Sequence, residues 1–186
     1  MSLTDSTMMP LGTLAPAFEL TDTLSQADLG FDDVAGAHAT VVVFICNHCP
    51  YVIHIADELV SVAAHYRVRG IGFVAISSND VAVRPEDGPE SMAEFARVHH
   101  FDFPYLYDES QDVAKSFNAV CTPDFFVFDG HRRCAYRGQF DGARPGNETP
   151  VTGADLRAAL DSLIEGQAPS VDEQVPSQGC SIKWRS

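Results

Sequence analysis

Two short apolar runs rich in β-branched residues, ATVVVFI at 39–45 and IGFVAIS at 71–77, constrain this chain most. Continuous apolar runs of that length suit strands covered on both faces, as in a parallel sheet with helices above and below. The segment between them fits such a helix. Ile55, Leu59, Val62 and Tyr66 recur at steps of four, three and four, and Arg67, Arg69 and Gly70 close the element. Together they form one βαβ unit of an α/β fold.

The rest of the chain continues the alternation. A helix is expected to start at DGPE, with Pro89 in its first turn and Met92, Phe95, Ala96 and His99 on one face. A short strand, PYLY, follows. Asp108 as N-cap with Gln111 three residues later announces a third helix through Val113, Ala114 and Phe117, stopping near Asn118. DFFVF and RRCAYRG flank Asp129-Gly130, a hairpin signal. Thr152 caps a last helix carrying Leu156, Leu160, Leu163 and Ile164, and Gly166 ends it. With 186 residues, 45% of them hydrophobic, the chain suits one domain over residues 1–186, its polar tail at 167–186 packing on the surface through Ile182 and Trp184, with Cys180 beside them either as a redox thiol or incidental to that packing.

A formal charge of -14, spread along the chain, argues against nucleic acid and anionic membrane surfaces as partners and favours solubility. The first residues lack a basic, then apolar, export signal, and no stretch approaches the roughly 20 apolar residues of a membrane span. A cytoplasmic location is expected. In that setting the five cysteines do not suggest a disulfide framework.

One pair has a telling spacing. Cys46 and Cys49, in FICNHCPYV, fall where the first long strand runs into the first long helix. Residues three apart in a helical turn have Cα atoms about 5 Å apart, inside the range a disulfide tolerates. Cys46, placed at the helix start, is expected to hold a thiolate favoured by free N–H groups and the positive dipole end. Cys49, one turn inside and more buried, would resolve the mixed disulfide. An imidazolium at His48 would lower the Cys46 pKa further. A metal site using Cys46, Cys49 and His48 or His54 competes with this reading, although structural zinc normally takes four ligands; two inert buried cysteines are the other alternative.

CNHCPYV after an apolar strand, CTPDFFVFDG before a hairpin and the closing GCSIKW resemble the thioredoxin superfamily, in its peroxiredoxin-like branch of redoxin-domain proteins, over roughly residues 10–186. The resemblance implies a thioredoxin-like fold: a central mixed sheet flanked by helices, with an inserted helix and strand segment at roughly 78–108 and a C-terminal tail. It also implies that Pro123 is a cis proline facing the dithiol and that Thr122 offers its backbone to substrate by strand-like pairing. Cys121 could lie near the dithiol; Cys134 reads as core.

The departures are specific. Peroxiredoxins carry Pro-x-x-x-Thr-x-x-Cys; aligning their peroxidatic cysteine with Cys49 puts Val42 and Cys46 at the proline and threonine. Ile45 and Thr40 stand where thioredoxins have a tryptophan and a buried aspartate, so no carboxylate base is evident. The expected activity is thiol-disulfide exchange by Cys46 and Cys49, with His48 as modulator and Thr122 and Pro123 on the substrate side. It needs no cofactor or metal, and its partners are protein or small-molecule thiols and disulfides and a thiol reductant system. The alternatives are a peroxiredoxin-like thiol peroxidase and a non-enzymatic metal-binding or redox-sensing module.

Overall fold

A computed structural model describes residues 3–172 and 174–185 of the chain. The strands are β1 (Leu3–Asp5), β2 (Glu19–Asp22), β3 (Asp28–Gly30), β4 (Ala39–Phe44), β5 (Ile71–Ser77), β6 (Tyr105–Tyr107), β7 (Cys121–Thr122), β8 (Asp124–Asp129), β9 (Cys134–Gly138) and β10 (Gln178–Ser181). The helices are α1 (Phe31–Val34), α2 (Pro50–Arg67), α3 (Pro89–Val98), α4 (Asp112–Phe117) and α5 (Ala154–Ile164), with a 3₁₀ turn at Pro85–Asp87.

Seven strands form a mixed sheet in the order β3-β2-β6-β5-β4-β8-β9. The two apolar runs pair in parallel, Ala39 opposite Ile71 through Phe44 opposite Ile76, as their composition predicts. β8 and β9 form the expected antiparallel pair. Every residue of β4 is buried, because it lies between two strands with side chains packed on both faces. Val41, Val43 and Ile45 meet the α2 residues Ile55, Leu59, Val62 and Tyr66, and Leu156 and Leu160 of α5. Full burial of each such aliphatic side chain is worth about 1.5–3 kcal/mol, so the stripe read from the sequence anchors α2. On the opposite face Phe117 stacks edge-on against Phe44, Phe126 and Phe128, with ring centroids 5.4, 5.6 and 5.8 Å away.

Two caps differ from the sequence reading. Gln111, in the left-handed region, occupies the N-cap of α4. Asp108 still satisfies that terminus from outside, its carboxylate accepting from the Ala114 and Val113 amides at 2.9 and 3.4 Å. Gly153, not Thr152, caps α5, at a φ of 63° that suits glycine. Asp141 accepts from the Thr152 and Gly153 amides at 2.7 Å each, doing from a distance what a Thr152 hydroxyl would do locally. Asp129-Gly130 does begin the β8–β9 turn, but the turn runs to Arg133, closed by the Asp129 amide bonding the Arg133 carbonyl at 2.9 Å.

A second sheet, with order β1-β10-β7, was not legible in the sequence. The tail supplies its central strand. β10 pairs antiparallel with β1 on one side and with β7 on the other, setting Cys180 opposite Thr122. Of the two apolar side chains at the tail's end, Ile182 is buried whereas Trp184 is exposed. Among the described residues no helix is long and apolar enough to cross a membrane.

Candidate active site

The dithiol lies where β4 ends and α2 begins. Pro50 occupies the first helical position, where its missing N–H costs nothing, and this makes Cys49 the N-cap. Cys46 therefore sits in the preceding loop, three residues upstream of the position expected for it. The preference of proline for the first helical turn was the available signal. Both cysteines are buried.

Thr122 and Pro123 meet this pair from β7, and the Thr122–Pro123 bond is cis, as expected. The Thr122 hydroxyl is 3.3 Å from Cys46 Sγ, and its carbonyl is 3.1 Å from Cys49 Sγ, placed to accept from the Cys49 thiol when protonated. Cys180 completes the cluster, its Sγ 2.9 Å from Cys49 Sγ. Cys121, two residues before Pro123, is buried, with its sulfur 3.8 Å from the Pro123 carbonyl. Cys134 lies in the core, where burial pushes its thiol up to about 11.

The bond between the two sulfurs favours the thiolate at Cys49 over Cys46. The hydrogen bond Cys49 accepts from Cys46 is the main cause that lowers its pKa to about 5, with burial opposing and Cys180, Thr122 and the Val52 amide adding to the fall. Cys46 holds its proton well above the ordinary thiol range, first through that same bond, then through burial and the charge of Asp87. A helix N-terminus favours the sulfur it caps, and that sulfur is the second of the pair.

Asp87 escaped the sequence reading. It is fully buried and comes from the inserted segment, ending the 3₁₀ turn. Its carboxylate accepts from the backbone amides of Asn47 and His48 at 2.9 and 3.3 Å and from the Asn79 side chain at 2.8 Å. It also lies 2.6 Å from His48 Nδ1. Asn47 is fixed further by donating to the Glu86 carbonyl at 2.8 Å and accepting from the Tyr105 hydroxyl at 3.0 Å. The inserted segment thus clamps the Cys46–Cys49 loop, and a buried carboxylate does stand beside the dithiol. No local pattern marks Asp87, because its partners in the dithiol loop, Asn47 and His48, lie 40 and 39 residues away.

Asp124 is a second buried carboxylate. It heads β8 directly after Pro123, and neither of its oxygens has a hydrogen bond of normal geometry. Burial pushes it up to about 7, with the Ser6 hydroxyl and the Val120 and Phe125 amides offsetting part of the rise. An acid opening an otherwise apolar strand was a usable sequence signal.

Cys46, His48 and Asp87 each present a possible metal-ligating atom, all within 4.8 Å of one another. Three ligands fall short of a structural zinc set. His54 is not part of this group.

No curated protein matches the chain. Among solved structures, an uncharacterised conserved protein of Geobacillus kaustophilus superposes with a TM-score of 0.97 at 51% identity, covering 100% of this chain and 97% of that one. Peroxidoxin BcpB of Mycobacterium tuberculosis gives 0.63 at 20% identity, over 86% and 98%. The thioredoxin domain of a thiol-disulfide oxidoreductase from Bacteroides vulgatus gives 0.59 at 16% identity, over 70% and 89%. The last two share the fold, which is that of thioredoxin. The AhpC/TSA family pattern matches residues 11–137, a span that holds the dithiol, the Asp87 clamp and the cis proline, and the chain belongs to the AhpC/TSA family.

Proposed function

We propose that this protein is a thiol-disulfide oxidoreductase working through the Cys46–Cys49 dithiol. The observation that carries the reading is the position of Cys49: it caps α2, has a depressed pKa, and lies beside a second thiol and the cis-proline strand. Cys49 thiolate attacks one sulfur of a substrate disulfide, releasing the other as a thiolate and leaving a mixed disulfide. Cys46 gives its proton to the medium and attacks Cys49 Sγ; the remaining substrate sulfur leaves as a thiolate and is protonated in turn. The product is a Cys46–Cys49 disulfide, which a cellular thiol reductant system returns to the dithiol. Relative to the sequence reading, the attacking and resolving roles are exchanged. His48 and Asp87 position the loop between the cysteines, and Thr122 contributes its hydroxyl to the pair.

Turnover of insulin disulfides with dithiothreitol as reductant tests this. Activity should vanish in Cys49→Ser, and the Cys46→Ser, Cys180→Ser double variant, which leaves no neighbouring thiol to displace the substrate, should accumulate mixed disulfides at Cys49. Insulin reduction no faster than with dithiothreitol alone would defeat the proposal, and mixed disulfides accumulating at Cys46 in Cys49→Ser would return the attacking role to Cys46.

A thiol peroxidase is the second reading, favoured by the helix-capping position of Cys49, with Cys46 where peroxiredoxins carry a threonine. Disulfide exchange is preferred because the cluster supplies a resolving thiol and lacks that threonine. Oxidation of Cys49 by hydrogen peroxide far faster than free cysteine, abolished in Cys49→Ser, would reverse the order.

A further inference from the structure

The tail occupies the strand edge that the thioredoxin-like reading assigns to substrate. β10 pairs with β7 so that Cys180 faces Thr122, the residue before the cis proline. Its approach is close: a Cβ on Gly179 would lie 1.9 Å from the Thr122 carbonyl oxygen and 3.2 Å from Pro123 Cδ. Only glycine fits there. Beyond β10 the Ile182 amide bonds the Val120 carbonyl at 2.9 Å, and the Lys183 amide bonds Asn79 at 2.8 Å, which in turn bonds Asp87. The tail is therefore tied to both β7 and the clamp on the dithiol loop. This docking brings Cys180 Sγ to 2.9 Å from Cys49 Sγ, across 131 residues of sequence.

We infer that Cys180 is a third redox thiol, delivered to Cys49 by β10 as an intramolecular counterpart of a substrate strand. The inference rests on the thiol-disulfide reading above, and it concerns a residue outside the span matched by the family pattern. Starting from the Cys46–Cys49 disulfide, Cys180 thiolate attacks Cys49 Sγ; the Cys46–Cys49 bond breaks, Cys46 leaves as a thiolate and takes up the proton that Cys180 gave up. The product is a Cys49–Cys180 disulfide with Cys46 as a thiol, and no net oxidation occurs. In the reduced protein Cys180 keeps its proton, pushed up to about 12 by burial and then by its hydrogen bond to Cys49 and the charge there. Once Cys49 is in a disulfide those last two causes disappear, so Cys180 becomes the better nucleophile when there is a bond for it to attack. The exchange also frees Cys46 while fastening β10 over Thr122.

The test uses the full-length Cys46→Ser protein with glutathione disulfide, followed by peptide mapping under non-reducing conditions. Cys49 thiolate should release one glutathione and hold the other, and Cys180 should then displace that second glutathione as a thiolate, giving an intrachain Cys49–Cys180 disulfide in most molecules. Adding Gly179→Ala, which lifts β10 from Thr122 without touching a thiol, should slow that closure at least tenfold while leaving glutathione on Cys49; circular dichroism checks that this variant is folded. A Cys46→Ser protein that stops at the Cys49–glutathione adduct, with Cys180 alkylated in full after unfolding, overturns the inference, as does equal closure with a folded Gly179→Ala. Should Gly179→Ala not fold, the Cys46→Ser map decides alone. Wild-type insulin turnover and a mapped Cys46–Cys49 disulfide judge the thiol-disulfide reading separately.

Discussion

Replacing Asp87 by asparagine should cost more than any other single change of equal volume near the dithiol. The side chain is fully buried, and its two oxygens serve the Asn47 and His48 amides, the Asn79 side chain and His48 Nδ1. Asparagine keeps one acceptor oxygen for the two amides but sets an NH₂ group against the Asn79 amide or against His48. Bonds to a charged acceptor are worth about 1.5–3 kcal/mol and neutral ones about 0.5–1.5, so weakening those that survive and losing one outright sums to about 4 kcal/mol. No longer burying a charge returns part of this, leaving about 3 kcal/mol. That is a large share of the roughly 5–15 kcal/mol that holds a domain together. Urea denaturation of the reduced protein, with a slope near 2 kcal/mol/M, should show the midpoint falling by about 1.5 M in Asp87→Asn. An unchanged or higher midpoint would refute the clamp, because the carboxylate would then be a net burden of burial. The same variant removes a charge that holds the Cys46 proton, so the Cys46 pKa should fall as well.

Ultraviolet absorbance of the reduced protein should reveal one thiolate forming with a midpoint about pH 5, absent in Cys49→Ser; a first thiolate step near pH 8 or above would contradict the helix-capping argument. Because the folded pKa of Cys49 lies below its unfolded value, its contribution to stability is complete above about pH 8.5 and is lost as pH falls through about 5. Asp124→Asn should stabilise the protein at pH 8, by at most about 4 kcal/mol for a carboxyl raised from about 3.9 to about 7. Wild type loses that amount as pH rises between those values, so the two proteins should melt together near pH 3.5, and a gain that persists there would show that ionisation is not its cause.

Periodicity and punctuation in the sequence were enough for the βαβ unit, the buried face of α2, the antiparallel β8–β9 pair and the site of the dithiol. Each is a local property: a run of β-branched residues can be satisfied only when covered on both sides, and a stripe repeating every three to four residues has only one face to bury. Proline at the first turn of α2 likewise made Cys49 the cap, although the frame of a helix end is easily misread by a turn. Tertiary structure alone decided how the cysteines divide the proton and what surrounds them. Asp87 and Cys180 reach the site from 38 and 131 residues beyond Cys49, Asp141 caps α5 from 12 residues before Gly153, and β10 enters a sheet whose other strands lie near the N-terminus and in mid-chain. Propensity and spacing report what a segment does with its neighbours in sequence. A thiol's proton is set instead by burial and by groups that packing brings within 3 Å or so, and those appear only once the chain has closed on itself.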